Sequence, residues 1–136
     1  MSDRPVLEPT DAHPITVAPT GRHVTVRVNG EIVAETDGAL TLQESTYPAV
    51  HYIPSRDIVL SVLRNSDTET YCPFKGDASY YHVVTAAGDT VEDAIWTYEK
   101  PYPAVAPIAG HVAFYPDKAE VTIRRVGPTP EGQGRA

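Results

Sequence analysis

His23-Val24-Thr25-Val26-Arg27-Val28-Asn29-Gly30-Glu31-Ile32-Val33-Ala34 decides the fold class. From His23 to Val28 polar and apolar residues alternate with period two, the pattern of a strand with one face in a core. Asn29-Gly30 supplies the two residue types that best tolerate left-handed backbone, so the chain turns back as a hairpin. Its register follows from the faces, because a slip of one residue exchanges core and solvent sides. A two-residue turn pairs Val28 with Glu31 and Val24 with Glu35, setting apolar against charged. A three-residue loop, Val28-Asn29-Gly30, pairs Val26 with Ile32, Val24 with Ala34 and Arg27 with Glu31. The second keeps each face consistent and is the expected register.

Working outward, short alternating segments predict further strands at 14–18, 40–44, 50–53, 57–63, 68–71, 78–85, 90–98, 110–115 and 119–125. Ser79–Thr85 and Thr90–Tyr98 form the central hairpin through Gly88-Asp89, and Pro116-Asp117-Lys118 turns the chain between the last two strands. Thirteen prolines spread over the chain break helical runs. The one helical turn expected lies within Pro103–Pro107. The fold predicted is all-β, a compact antiparallel β domain over residues 13–125. A flexible arm (1–12) precedes it and a disordered, Gly- and Pro-rich tail (126–136) follows.

Composition narrows the function. A chain of 136 residues with 41% hydrophobic and 21% charged residues is large enough for one real core. Its net charge of −7 argues against nucleic acid, since phosphate contacts need clustered Lys and Arg and the only adjacent basic pair is Arg124-Arg125. No apolar run approaches the roughly 20 residues that span a bilayer, so no membrane role is expected. A single cysteine forbids an internal disulfide, and nothing after Met1 reads as a signal peptide. A cytoplasmic protein is expected.

The chemistry concentrates in Thr70-Tyr71-Cys72-Pro73-Phe74-Lys75-Gly76-Asp77-Ala78-Ser79-Tyr80-Tyr81. A thiol, an amine and phenols lie within a dozen residues beside a Pro and a Gly that force bends. Cys72 reads either as a nucleophile, its thiolate favoured by a cation such as Lys75, or as a small buried hydrophobe. His51, His82 and His111 are available as its base. Lys75 reads as the contact to a phosphate or carboxylate at a pocket mouth, contributing little to the fold, or as a solvated loop residue. Eight tyrosines against two phenylalanines mean many ring edges that want a hydrogen-bond partner, as in a polar-lined pocket, although tyrosine is also an ordinary strand residue. Asp57, Asp67, Asp77 and Asp93 serve equally as bases or as turn formers. Five histidines without close His or Cys pairing give no zinc pattern, so no metal ligand is expected and no cofactor is implied.

Tyr52-Ile53-Pro54, Thr70-x-Cys72-Pro73-x-Lys75-Gly76-x-Ala78-Ser79-Tyr80, Trp96-x-Tyr98-x-x-Pro101-x-Pro103, Pro107-Ile108-Ala109-Gly110 and Val112-Ala113-Phe114-Tyr115 occur in this order. Together they resemble the bacterial and fungal domain-of-unknown-function family four-two-seven, also called nucleotidyltransferase-like, over roughly residues 13 to 125. The resemblance implies a compact domain similar to the zinc-binding β-tent folds of Mss4 and methionine sulfoxide reductase B. Those relatives use paired Cys-x-x-Cys ligands, so the zinc site is not carried over to a chain with one cysteine. In-line phosphoryl transfer needs metal held by carboxylates, and no Asp-x-Asp pair follows a Gly-Ser here. The expected site is a small-molecule pocket, with Cys72 and Lys75 as the catalytic candidates and Tyr52, Arg56, Tyr80, Trp96 and Tyr98 as substrate contacts. An enzyme acting on an anionic metabolite fits that set. So does a non-catalytic ligand- or protein-binding module in which Cys-Pro-x-Lys-Gly only turns a corner. The residues leave the oligomeric state open.

Overall fold

The computed structural model describes residues 5–124. Among them lie ten strands: β1 (Ile15–Pro19), β2 (Val24–Val28), β3 (Glu31–Thr36), β4 (Leu40–Glu44), β5 (Val50–Pro54), β6 (Leu63–Cys72), β7 (Gly76–Val84), β8 (Thr90–Thr97), β9 (His111–Phe114) and β10 (Glu120–Ile123). They form a seven-stranded sheet of order β1-β4-β5-β9-β8-β7-β6 and a three-stranded sheet of order β10-β2-β3. All strand pairings are antiparallel. The all-β class read from the sequence is the observed one. No helix among the described residues is long and apolar enough to cross a membrane.

Alternation along the strands sorts the large sheet into two unlike faces. Ile53, Val83, Ile95, Val112 and Phe114 point to one side and pack against Val24, Val26, Val28 and Val33 of the small sheet. Their chain neighbours Tyr52, Trp96 and Ala113 point to the other side, with Leu42, Tyr80 and Tyr98. A 3-10 segment kinked at Val105, Pro103–Ile108, covers part of that second face with Val105 and Ile108. Here the expected helical turn is present, with Pro103 at its start, where a missing N–H costs nothing. The hydrocarbon face makes the core between sheets. The phenolic face is left for something else.

Three expectations need correction. The first hairpin uses the two-residue turn after all, with Val28 opposite Glu31 and both Asn29 (φ 51°) and Gly30 (φ 83°) left-handed. Beyond Arg27 the register shifts, so that Val26 faces Ala34 and Val24 faces Thr36. Val33 is the extra residue of this bulge, and the consecutive burial of Val33 and Ala34 is its mark. The segment 57–63 is not one strand: two 3-10 turns, Ser55–Asp57 and Leu60–Val62, flank an isolated bridge of Ile58 to Ala34, and Leu63 opens β6. Ile58 and Val62, four residues apart, are buried while Val59 and Leu60 are exposed, which is a helical spacing and not period two. The bulge carbonyl of Val33 accepts the Val59 N–H at 2.9 Å and holds this crossing in place. Finally, the turn at Pro116-Asp117-Lys118 does not join a hairpin, since β9 belongs to the large sheet and β10 to the small one.

Residues 1–4 of the arm, the tail and residue 125 of the last predicted strand lie outside the described residues. The described part of the arm is tied to the tip between β6 and β7. Leu7 N–H donates to Pro73 O at 2.9 Å, and the Tyr71 hydroxyl donates to Pro5 O at 2.6 Å.

Gly76 begins β7 at φ +113°, and a Cβ there would lie 3.3 Å from the Lys100 carbonyl. Gly76→Ala is therefore expected to destabilise the fold by about 1–3 kcal/mol. Gly21, at φ +74° with nothing within 4 Å, isolates the backbone term, and Gly21→Ala should cost about 1 kcal/mol. Urea unfolding of both variants checks this. Equal losses would mean that the Lys100 contact carries no strain.

Candidate functional site

Cys72 pairs with Gly76 and closes a hairpin tip of Pro73-Phe74-Lys75. Lys75 N–H donates to Cys72 O at 3.2 Å, and Lys75 O accepts the Tyr102 N–H at 3.0 Å. The tip is pinned from both sides, and the Lys75 side chain is driven inward, leaving the residue only 8% exposed. Its ammonium donates to Glu44 Oε1 at 2.5 Å and points a second N–H at Cys72 Sγ, 3.6 Å away. The other Glu44 oxygen is hydrogen-bonded to His13 Nε2 at 2.8 Å, and the His13 ring stacks on Phe74 with centroids 4.5 Å apart. The expectation of a mouth lysine with little part in the fold is overturned. Lys75 is half of a buried ion pair.

Above this pair lies a pocket of about 200 Å³. Of the seven residues singled out from the sequence, Tyr52, Lys75, Tyr80, Trp96 and Tyr98 line it together, joined by Glu44 and Tyr115. Trp96 Nε1 donates to the Tyr52 hydroxyl at 3.2 Å, and the Trp96 and Tyr115 rings lie 4.4 Å apart. Tyr115 donates to the Tyr80 hydroxyl at 3.3 Å, and Tyr80 in turn is bonded to Thr70 Oγ1 at 2.9 Å. Tyr98 differs from its neighbours. It is 8% exposed, and its hydroxyl has no hydrogen-bond partner among the described residues.

The remaining expectations fare differently. Cys72 is half-buried behind Lys75 and is not on the pocket wall. Arg56 is exposed on the first 3-10 turn, beside Gly38, and does not reach the pocket, so it is no part of this site. None of the three histidines offered as a base for Cys72 is bonded to it. His51 bonds Thr41 at 3.0 Å, His82 accepts the Asp93 N–H at 3.0 Å, and His111 is bonded to Ala109 O at 2.9 Å. Asp57 accepts from Thr36 at 2.6 Å, and Asp93 accepts from Ser66 and Thr68 at 2.5 and 2.7 Å, bracing bulges and turns.

Sequence reasoning missed Glu44 and His13. Glu44 had a visible signal, since Leu40, Leu42 and Glu44 share one face of β4 and a carboxylate there follows two core leucines. His13 had none, because it lies before β1 and reaches the site only through folding of the sheet.

The ionisation states follow from this packing. Burial pushes the Glu44 carboxyl up, but hydrogen bonds and charge from Lys75 and His13 outweigh it and hold the group below its ordinary value. Burial pushes the Tyr52 phenol up to about 12, and the Tyr98 phenol further in the same direction. Burial also raises Tyr115, helped by its bond to Tyr80. The site thus combines Tyr52, Tyr98 and Tyr115 phenols that burial keeps protonated, a Glu44 carboxylate paired with Lys75 and His13, and a Trp wall.

An antiparallel β domain with a phenol-lined pocket and a buried Lys-Glu pair is the class these features define. The chain belongs to the domain of unknown function family DUF427, whose sequence profile matches residues 16–125. No curated protein matches the chain.

The depressed Glu44 value fixes a pH window. Stability from the pair is full above the ordinary carboxyl value of 4.5 and is lost as pH falls through the lower folded value. Glu44→Gln leaves the ammonium buried without its counter-charge and should cost on the order of 3 kcal/mol at pH 7. Its stability should then fall less steeply on acidification than that of the wild type. The joint replacement Glu44→Leu with Lys75→Met should recover most of the loss. Urea titrations from pH 3 to 8 measure this, and a parallel acid limb in Glu44→Gln would refute it.

Proposed function

We propose that the protein is a small-molecule-binding domain whose ligand presents hydrogen-bond acceptors to the phenolic pocket. The observation that carries this reading is the Tyr98 hydroxyl, buried on the pocket wall and without a partner among the described residues. Leaving a buried donor unpaired costs about 1–3 kcal/mol, and the large majority of buried polar groups have partners. A ligand acceptor supplies what the chain does not.

Two further donors converge on the same space. The Tyr52 oxygen already accepts from Trp96, which leaves its own hydrogen for the pocket. Lys75 has three N–H donors, of which one goes to Glu44 and one toward Cys72. Raised phenol values keep both tyrosines protonated, and so donating, through neutral pH. The charge balance favours a neutral carbonyl oxygen over the anionic metabolite expected from the sequence, because Lys75 is already neutralised and Glu44 repels a second negative group.

Binding is favoured over catalysis at Cys72. The Lys75 ammonium beside Cys72 favours a thiolate, but Cys72 is half-buried and does not line the pocket, so its sulfur does not face the space offered to a ligand. The binding module is therefore the reading adopted.

Tyr98→Phe separates function from folding. It deletes a hydroxyl with no protein partner, so the melting temperature should stay the same or rise, while affinity should fall about tenfold with one lost hydrogen bond. Melting curves, together with mass spectrometry of metabolites retained by wild type and variant, test both halves. A variant that unfolds several degrees earlier, or that retains the same metabolites equally well, sinks the proposal.

A further inference from the structure

The phenolic pocket is small for a complete ligand. Its volume of about 200 Å³ falls below the roughly 300–1,000 Å³ of ordinary small-molecule sites. A second cavity of about 350 Å³ adjoins it. The two share Tyr47, Pro48, Val50 and Trp96 as walls, and the second is completed by residues such as Phe114 and Val121. The β4–β5 loop, the first residue of β5 and one indole thus border both.

The second cavity has the opposite chemistry. No carboxylate, ammonium or guanidinium lines it. The imidazole on its wall, His51, is held below its ordinary value by burial and is bonded to Thr41. The indole N–H of Trp96 is committed to Tyr52 on the pocket side, so the ring presents only carbon to this cavity. The loop between is anchored: Gln43 donates to Ser45 O and Tyr47 O at 3.2 and 2.6 Å, and Ser45 takes φ 49°. The anchored loop thus has a donor-rich chamber on one side and an apolar one on the other.

We infer that the ligand is amphiphilic, with a neutral carbonyl head of amide type against Tyr52, Tyr98 and Lys75 and an apolar aryl or alkyl body lying past Trp96 in the second cavity. This rests on the pocket reading above and adds the body to it. The head satisfies the orphaned donors, and the body supplies the apolar burial that a chamber of this size cannot provide alone. The matching carboxylic acids bind less tightly, because their charge faces Glu44.

The chain carries its own reporter, since Trp96 is its single tryptophan and lies between the two chambers. The probes are acetamide, butyramide, hexanamide and 4-phenylbutyramide, each with its matched carboxylate, titrated by Trp96 fluorescence and calorimetry. Affinity should rise about fourfold per added methylene until the second cavity is full. Tyr98→Phe should weaken every amide about tenfold without changing that slope. Ala49→Phe, at an exposed lining position, should flatten the slope and leave acetamide unchanged. Tyr98-dependent binding with no dependence on length overturns this inference and leaves the pocket reading standing. A length dependence indifferent to Tyr98→Phe, or tighter carboxylates than amides, overturns the assigned head. If no member of either series binds at millimolar concentration, the amphiphile is wrong, while the metabolite comparison on Tyr98→Phe still decides the pocket by itself.

Discussion

The contact between Lys75 and Glu44 is the constraint on which the rest depends. Glu44 ends β4, next to one edge of the large sheet, and Lys75 lies on the tip that joins β6 and β7 at the other. Four strand spacings separate β4 from β7 in the sheet order, about 19 Å if the sheet were flat. A lysine and a glutamate cannot bridge that distance, so the sheet must curl until its ends meet. The stack of His13 on Phe74 and the bond from Leu7 to Pro73 close the same seam. A buried ion pair adds little net stability, because desolvating both ions offsets most of their attraction. What it adds is selectivity: a slipped or open sheet would strand one charge in an apolar setting.

Curling gives the phenolic face its meaning. A flat sheet would present Tyr52, Tyr80, Trp96 and Tyr98 to solvent or to a covering layer. Curled, it turns them toward one another around a space that the Pro103–Ile108 turn only partly covers. The strands can do this because β6 and β8 both carry register shifts opposite the middle of β7, between Asn65 and Glu69 and across from Tyr81 to Val83. Bulges increase local twist and bend a strand. Asp93, at φ 49° in the β8 bulge, accepts from Ser66 and Thr68 of the β6 bulge and so ties the two irregularities across β7.

This explains which parts of the molecule were legible in the sequence. Alternation and turn chemistry are local, so most strands, the Asn29-Gly30 turn, the central hairpin and the turn at Pro103 could be read directly. The pairs Tyr52-Ile53, Ile95-Trp96 and Phe114-Tyr115 even record the two faces, one residue type to each. Register was less legible, because a bulge such as Val33 inserts a residue whose only local trace is two adjacent apolar positions. The segment 57–63 misled because Ile58, Val59, Leu60 and Val62 have strand composition but a helical spacing of buried positions. Closure of the site was not legible at all. Nothing in the neighbourhood of residue 44 or 13 announces residue 75, and nothing local to Arg56, a second possible anion contact in the sequence, says that it lies away from the pocket.

The neutralised lysine then decides what kind of site the curl encloses. A free buried ammonium would attract any anion, and a chamber of phenols without it would offer only weak neutral donors. Held by Glu44, the ammonium keeps its remaining N–H and its local field while the pair as a whole carries no charge to satisfy. On the binding proposal, the three donors facing the chamber would reward a strong neutral acceptor more than an anion. Selection at that end would then follow acceptor strength, and discrimination by shape would fall to the side of Trp96 where no carboxylate, ammonium or guanidinium lines the cavity.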